Sequence, residues 1–268
     1  MTGDENGWAL ALGPGGPVGT AWLIGLAAGL REAGLEPAGA GLVVGTSAGA
    51  IAGAAITTGR DLAALAELPP PSEPPAPVDG SVMARVFEVG GTPGLEPGEA
   101  RRRIGRLALD AAAQPAERHH ASMLYLIGTD TWPDTRLLVT GVDAVSGEPA
   151  LWDASSGVPL SLAVAASSAA PGFCEPIPIG GRRYMDGAFA GWSDAELAEG
   201  AGPLVVVEPM PGMRGGGGDV RIVPDERALE AFGPNLGDRS RWAPVYLEGL
   251  RQAPEAAERI SAAVGARR

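Results

Sequence analysis

Two short motifs carry the side chains best suited to nucleophilic chemistry. Gly45-Thr46-Ser47-Ala48-Gly49 sets a serine between two glycines, directly after the apolar run Leu42–Val44 and before an alanine-rich stretch. This is the G-x-S-x-G spacing of a strand-to-helix elbow, where small neighbours let the backbone bend sharply and lift the hydroxyl clear. At a helix start the hydroxyl also meets free N–H groups and the positive end of the dipole, which favour developing negative charge. A serine nucleophile needs a base. The only histidines are His119 and His120, and none follows residue 120, so the chain order Ser…Asp…His cannot be assembled. Both lie in the polar stretch QPAERHHAS and are expected to face solvent.

A non-standard order using His119 or His120 stays open; without a histidine the base comes from another residue type, and a carboxylate is the one available. Asp186 follows Arg182-Arg183-Tyr184-Met185 and precedes Gly187, which leaves its carboxylate uncrowded. An ordinary Asp, with a pKa near about 3.9, is a weak base; partial burial raises it, and direct contact with the hydroxyl supplies proximity. Asp-Gly is also a common turn pair, as Asp79-Gly80 shows, so both readings of Asp186 stand on the residues alone.

A second glycine-rich segment, Gly13-Pro14-Gly15-Gly16-Pro17-Val18-Gly19, offers backbone N–H groups that can approach an oxyanion closely. The competing reading is a nucleotide turn. G-x-G-x-x-G read from Gly13 puts Val18 where the third glycine belongs, and no acidic residue closes a second strand about 20 residues later. The phosphate loop G-x-x-x-x-G-K-[ST] is excluded because the chain contains no Lys. Nucleotide binding is therefore not expected.

These motifs need elements to hold them. Trp8–Gly13 reads as a buried strand, Thr20–Ala33 as a helix with apolar residues at helical spacing, Leu42–Gly45 as a second strand and Ala48–Thr57 as a second helix. Strand-helix-strand-helix in this span predicts a parallel pair with both glycine-rich turns at strand carboxyl ends, where open α/β sheets place their ligands. Further on, Glu99–Ala113 reads as a helix with Arg101, Arg102 and Arg103 on a solvated face. Met123–Thr129, Leu137–Val142, Arg183–Met185 and Leu204–Glu208 read as strands, with Leu204–Glu208 the last obvious one. GVDAVSGEP reads as a hairpin turn and Pro159–Ala169 as a small-residue helix. Asp238–Val264 reads as helical, broken by Pro244 and Pro254. Pro69–Asp79 reads as an extended proline-rich loop and Gly215–Gly218 as a flexible tip.

Composition narrows the classes further. With 268 residues the chain can bury a substantial core unaided, and no internal repeat or clean boundary divides it, so residues 1–268 are expected to form one α/β domain. The single Cys174 excludes an internal disulfide, and no Cys/His cluster has metal-ligand spacing. A net charge of −12, from 32 acidic against 20 basic residues, disfavours nucleic acid and stable anchoring on an anionic membrane. No apolar run is long enough to span a bilayer, and the acidic start MTGDENG lacks the pattern of a secretory signal, so a cytoplasmic location is expected. The sequence carries no signal for an oligomeric state.

Taken together, the glycine-rich turn after the first strand, GTSAG after the next, and the later stretch Ala166–Ala188 (ASSAAPGFCEPIPIGGRRYMDGA) resemble the patatin-like phospholipases over about residues 8–210. The resemblance implies a three-layer α/β/α sandwich with a mostly parallel central sheet. It implies Ser47 as nucleophile, Asp186 as base, and the Gly15 and Gly16 N–H groups as oxyanion hole, with Gly45, Gly49 and Gly187 supporting the turns. It further implies hydrolysis of lipid-like esters through an acyl-enzyme, with no metal or organic cofactor, and the acidic net charge points to transient rather than anchored contact with a membrane or micelle surface. A small-ester or thioester hydrolase or an acyltransferase would use the same pair. Two departures from the family turn, Pro14 and Val18 (where the pattern has glycine and a basic residue), favour a catalytically weak binding protein as the other alternative. Residues 212–268 carry no chemical motif.

Overall fold

The computed structural model describes residues 7–69, 78–211 and 217–266. The chain runs through β1 (Ala9–Leu12), α1 (Gly16–Glu32), β2 (Leu42–Gly45), α2 (Ala48–Thr57), α3 (Gly80–Gly90), α4 (Pro97–Asp110), α5 (Ala116–Ile127), β3 (Arg136–Asp143) and β4 (Pro149–Trp152). It continues through α6 (Leu160–Ser167), β5 (Ile177–Ile179), β6 (Arg182–Asp186), α7 (Asp194–Leu197), β7 (Leu204–Val207), β8 (Val220–Ile222), α8 (Glu226–Phe232) and α9 (Trp242–Gly265). The strands form one sheet in the order β5-β6-β3-β2-β1-β7-β8, with β4 paired to β3. Pairing is parallel from β3 through β8 and antiparallel at β3–β4, β3–β6 and β5–β6.

Alternation along the central strands sorts side chains to two helical layers. Leu10, Leu12, Val43, Leu137, Val139, Val205 and Val207 enter the large core shared with α1, α2, α5, α6 and α9. Ala9, Ala11, Val44, Leu138 and Val206 face the other way, against the short α7, while Val142 and Met185 meet α3 and α4 there. Because β1 and β2 are covered on both faces, they read as continuous apolar runs. This is the expected three-layer arrangement.

Several elements differ from the sequence reading. Residues 123–127, expected in a strand, are the second half of α5, where Met123, Leu126 and Ile127 are buried at helical spacing and Gly128 ends the helix at φ 79°. A strand over 123–129 would put Gly128 in its interior, whereas left-handed backbone at this position is the usual helix stop. β8, three residues long at the sheet edge, follows the strand that the sequence reading placed last. Arg102 and Arg103 pair with Glu99 on the solvated face as expected, but Arg101 turns inward, its Nε donating to the Gly147 carbonyl and an Nη to that of Ala190.

The carboxyl-terminal helix is not broken. Pro244 lies in the first turn of α9, where a missing N–H costs nothing. Pro254 lies inside it, and the Leu250 carbonyl it fails to bond rests against Gly29 of α1, where a Cβ would sit 2.9 Å from that oxygen. Burial of Ala253, Ala256, Ala257 and Ile260 in the same interface holds the helix together across the proline. Most of the proline-rich stretch Pro69–Asp79 and part of Gly215–Gly218 fall outside the described residues.

Candidate active site

β1 and β2 are parallel neighbours with Leu12 opposite Gly45, so the turns that follow them leave the sheet side by side. The second turn consists of Thr46 and Ser47 alone before α2 begins. Thr46 N–H donates to the Leu12 carbonyl (3.1 Å), tying it to the end of β1. Ser47 sits at φ 55°, ψ −115°, the only non-glycine among the described residues with positive φ. Such a conformation costs on the order of 1–3 kcal/mol and persists only where the surroundings impose it. They do: a Cβ on Gly49 would overlap the Leu12 carbonyl oxygen, and one on Gly45 would lie 2.5 Å from the Gly49 carbonyl. From the other side, Ser47 N–H donates to the Ser167 hydroxyl at the end of α6 (3.0 Å).

Asp186 closes β6, opposite Gly141 of β3, with its N–H held by the Ala169 carbonyl (3.0 Å). Its carboxylate divides its work. Oδ1 accepts from Ala188 N–H (2.8 Å), and Oδ2 accepts from the Ser47 hydroxyl at 2.7 Å. The two residues, 139 positions apart, are 6% and 3% exposed. A hydroxyl in direct contact with a largely desolvated carboxylate is the arrangement a proton transfer needs.

The turn after β1 supplies donors by elimination. Pro14 and Pro17 have no N–H, and Val18 N–H is engaged by the Leu236 carbonyl (3.3 Å). Among the described residues, no acceptor meets the N–H of Gly15 or Gly16, nor that of Ala48 at the start of α2. Gly16 has φ +61°, and the Leu236 carbonyl would lie 2.9 Å from a Cβ there; a Cβ on Gly15 would lie 2.6 Å from Pro209. Both glycines are therefore fixed by packing as well as by the turn. The Ala48 N–H was not singled out from the sequence, although the residue after the serine is a general donor in such elbows.

The histidines correct the sequence reading. Neither faces open solvent: both project from α5 onto α6, with His119 Nε2 2.9 Å from the Ser168 hydroxyl and His120 Nε2 2.6 Å from that of Ser161. Ser161 also donates to Asp130, but here the hydroxyl stands between imidazole and carboxylate, and Ser161 is fully buried. This contact anchors the start of α6 and lacks the order of a catalytic triad. Burial pushes His119 down to about 4; a hydrogen bond to the Ala165 carbonyl opposes the shift and nearby Arg239 adds to it. Burial likewise pushes the Cys174 thiol far above its ordinary value, which leaves it inert as a nucleophile. Among the described residues, no group of three or more His, Cys, Asp or Glu side chains is placed to hold a metal ion.

The depressed His119 makes a stability prediction. Its folded value lies below the unfolded value of 6.5, so between pH 6.5 and about 4 the unfolded chain binds a proton that the folded chain refuses. Stability is therefore expected to fall as pH drops through that window, by about 2 kcal/mol at pH 5 relative to pH 7.5 from this group. His119→Gln keeps a donor for Ser168 but cannot titrate, and its urea midpoint should lose much less between those two pH values. Parallel losses in both proteins would refute the assignment.

A family model described as patatin-like phospholipase matches residues 10–198, a span that includes both glycine-rich turns, Ser47 and Asp186 and ends just after α7. No curated protein matches the chain. Among solved structures, VipD from Legionella pneumophila is similar with a TM-score of 0.39 and 14% identity over 76% of this chain. The alignment covers 50% of that structure, so this chain spans about half its length. No helix among the described residues is long and apolar enough to cross a membrane.

Proposed function

The chain belongs to the patatin-like phospholipase family, and from that premise we propose that it is a serine acyl hydrolase of lipid-like carboxylic esters, with Ser47 as nucleophile and Asp186 as base. The observation that carries this reading is the 2.7 Å hydrogen bond from the Ser47 hydroxyl to Asp186 Oδ2. As Ser47 Oγ attacks the ester carbonyl carbon, its proton passes to Oδ2. The negative charge on the former carbonyl oxygen is taken by the N–H groups of Gly15 and Gly16, with Ala48 as a third donor. Collapse of the tetrahedral intermediate breaks the bond to the leaving alcohol, which takes the proton from Asp186. Water then surrenders a proton to the freed carboxylate and attacks the acyl-enzyme. The second intermediate expels Ser47 Oγ, which regains its proton, and the fatty acid leaves.

Each oxyanion donor in such a site is worth about 10²–10³ in rate, so loss of an N–H at Pro14 has to be met elsewhere in the turn. Gly15, Gly16 and Ala48 meet it in this reading. In the same reading residues 1–268 act as one domain, which is supported among the described residues by β7 and β8 extending the sheet beyond β1 and by α9 packing along α1. Phe87 on α3, 57% exposed beside the buried Val82 and Val86, is an apolar side chain available in this reading for transient contact with a lipid surface.

Chain-length dependence separates this function from its neighbours. Hydrolysis of p-nitrophenyl esters is expected to rise in kcat/KM from acetate to medium and long acyl chains. Activity confined to acetate and butyrate would make the protein a small-ester hydrolase, and transfer to added alcohol in preference to water would make it an acyltransferase. Absence of both turnover and labelling by a fluorophosphonate would leave the binding protein to which the Pro14 and Val18 departures point.

A further inference from the structure

Beneath the two turns that meet at Ser47 and Asp186 lies a buried polar chain. Thr140 and Thr46 hydroxyls are 2.6 Å apart, and Thr46 in turn donates to Asp194 Oδ1. Both threonines are fully buried and Asp194 is 5% exposed. The direction of the chain follows from its end: a carboxylate only accepts, so the Thr46 proton goes to Asp194 and the Thr46 lone pair receives the Thr140 proton. Sheet alternation brings the three together. Thr140 shares its face of β3 with Leu138 and Val142, and Thr46 follows Val44, which faces the same way toward α7. Asp194 is the first residue of α7, whose capping box between Ser193 and Glu196 fixes the turn.

Each member touches a different part of the site. Thr46 immediately precedes Ser47. Thr140 lies against Gly187, immediately after Asp186: a Cβ on Gly187 would overlap the Thr140 hydroxyl and lie 2.6 Å from its carbonyl oxygen. Asp194 lines a small cavity with Gly13 and Pro14 of the first turn. Nucleophile and base come from loops 139 positions apart, and nothing in their own sequences fixes their mutual distance. We propose that Thr140, Thr46 and Asp194 are positioning residues that hold the Ser47 and Asp186 loops in register, so that the hydroxyl stays within transfer distance of Oδ2. A buried chain of this kind polarises along its length and has discrete geometry, which suits it to fixing a position to a fraction of an ångström. A misplacement of about 1 Å at a reacting pair is enough to cost about 10²-fold in rate.

This inference rests on the Ser47–Asp186 reading, so the test separates the two. Wild type, Ser47→Ala, Thr140→Val and Thr140→Ser are compared for kcat and KM on one p-nitrophenyl ester, for the rate of fluorophosphonate labelling, and for Tm. Thr140→Val, which swaps the hydroxyl for a methyl, is expected to lower kcat and the labelling rate together by 10- to 100-fold with KM within twofold. Thr140→Ser is expected to restore both to within about threefold of wild type, whatever its Tm. If Thr140→Val does not fold, Asp194→Ala and its rescue Asp194→Asn carry the same comparison. Wild-type kcat and labelling in a folded Thr140→Val, or a loss that Thr140→Ser does not recover, overturns the positioning role while leaving the pair intact. A wild type that Ser47→Ala matches in both activity and labelling overturns the underlying reading and this one with it.

Discussion

Ser47→Ala is expected to abolish acyl-enzyme formation and to lower ester turnover by about 10⁵–10⁶, the size of loss seen when the nucleophile of a serine hydrolase is removed. The reasoning is local. Oγ is the only atom that leaves, and the elbow that presents it is imposed by Gly45, Gly49, the Thr46–Leu12 hydrogen bond and the Ser47 N–H bond to Ser167, all of which alanine retains. Asp186 Oδ2 loses one hydrogen bond in a nearly closed site, a cost of about 1–3 kcal/mol, while Oδ1 keeps the Ala188 N–H. The fold should therefore survive, with Tm shifted by only a few degrees. Rate measurements with circular dichroism on the same sample separate the outcomes: residual turnover within tenfold of wild type in a folded variant would remove Ser47 from the chemistry.

Asp186→Asn carries the second-largest expected effect, a drop of about 10²–10⁴ in kcat, the usual contribution of a positioned general base. The substitution is isosteric, and its orientation is predictable. Ala188 N–H requires an acceptor, so the amide oxygen takes the place of Oδ1 and the NH₂ group takes that of Oδ2, facing Ser47. There it donates to Oγ and cannot receive a proton from it. Ground-state binding involves no such transfer, so KM should change by less than about threefold. A kcat within a few-fold of wild type would mean that the Ser47 proton goes elsewhere.

The candidate side chains were legible in part, because nucleophile and base motifs depend on residue type within a local pattern. Glycines around Ser47 singled out the hydroxyl, whereas the glycine after Asp186 left a turn and a base as equal readings until the family resemblance chose between them; the structure brings the two side chains into contact. The polar groups that support them were not legible. Ser167, Thr140 and Asp194 meet the Ser47 turn from 120, 94 and 148 positions away, counted from Ser47 to Ser167 and from Thr46 to the other two. A single sequence gives no measure of such pairings.

The histidines were misread for a different reason. Taking residues 123–129 as a strand left the preceding segment as a polar stub, whose side chains belong in water. Once the helix runs from Ala116 to Ile127, Ala116, His119, His120, Met123 and Ile127 fall on one face at spacings of three and four, and that face packs against α6 and α2 with the two imidazoles half-buried. Pro254 misled in the opposite direction. Local propensity favours a break there, and packing of α9 against the glycines of α1 overrides it.

The central claim is that one hydroxyl, activated by one carboxylate, forms the acyl-enzyme. It is tested most directly by treating the native protein with a fluorophosphonate ester, measuring intact mass, and mapping the modified peptide. A single adduct per chain located on Ser47, formed at least a hundredfold more slowly in Asp186→Asn, is the predicted result. An adduct on another serine, such as Ser161 or Ser168, or continued ester hydrolysis by a protein whose Ser47 is fully blocked, would contradict it.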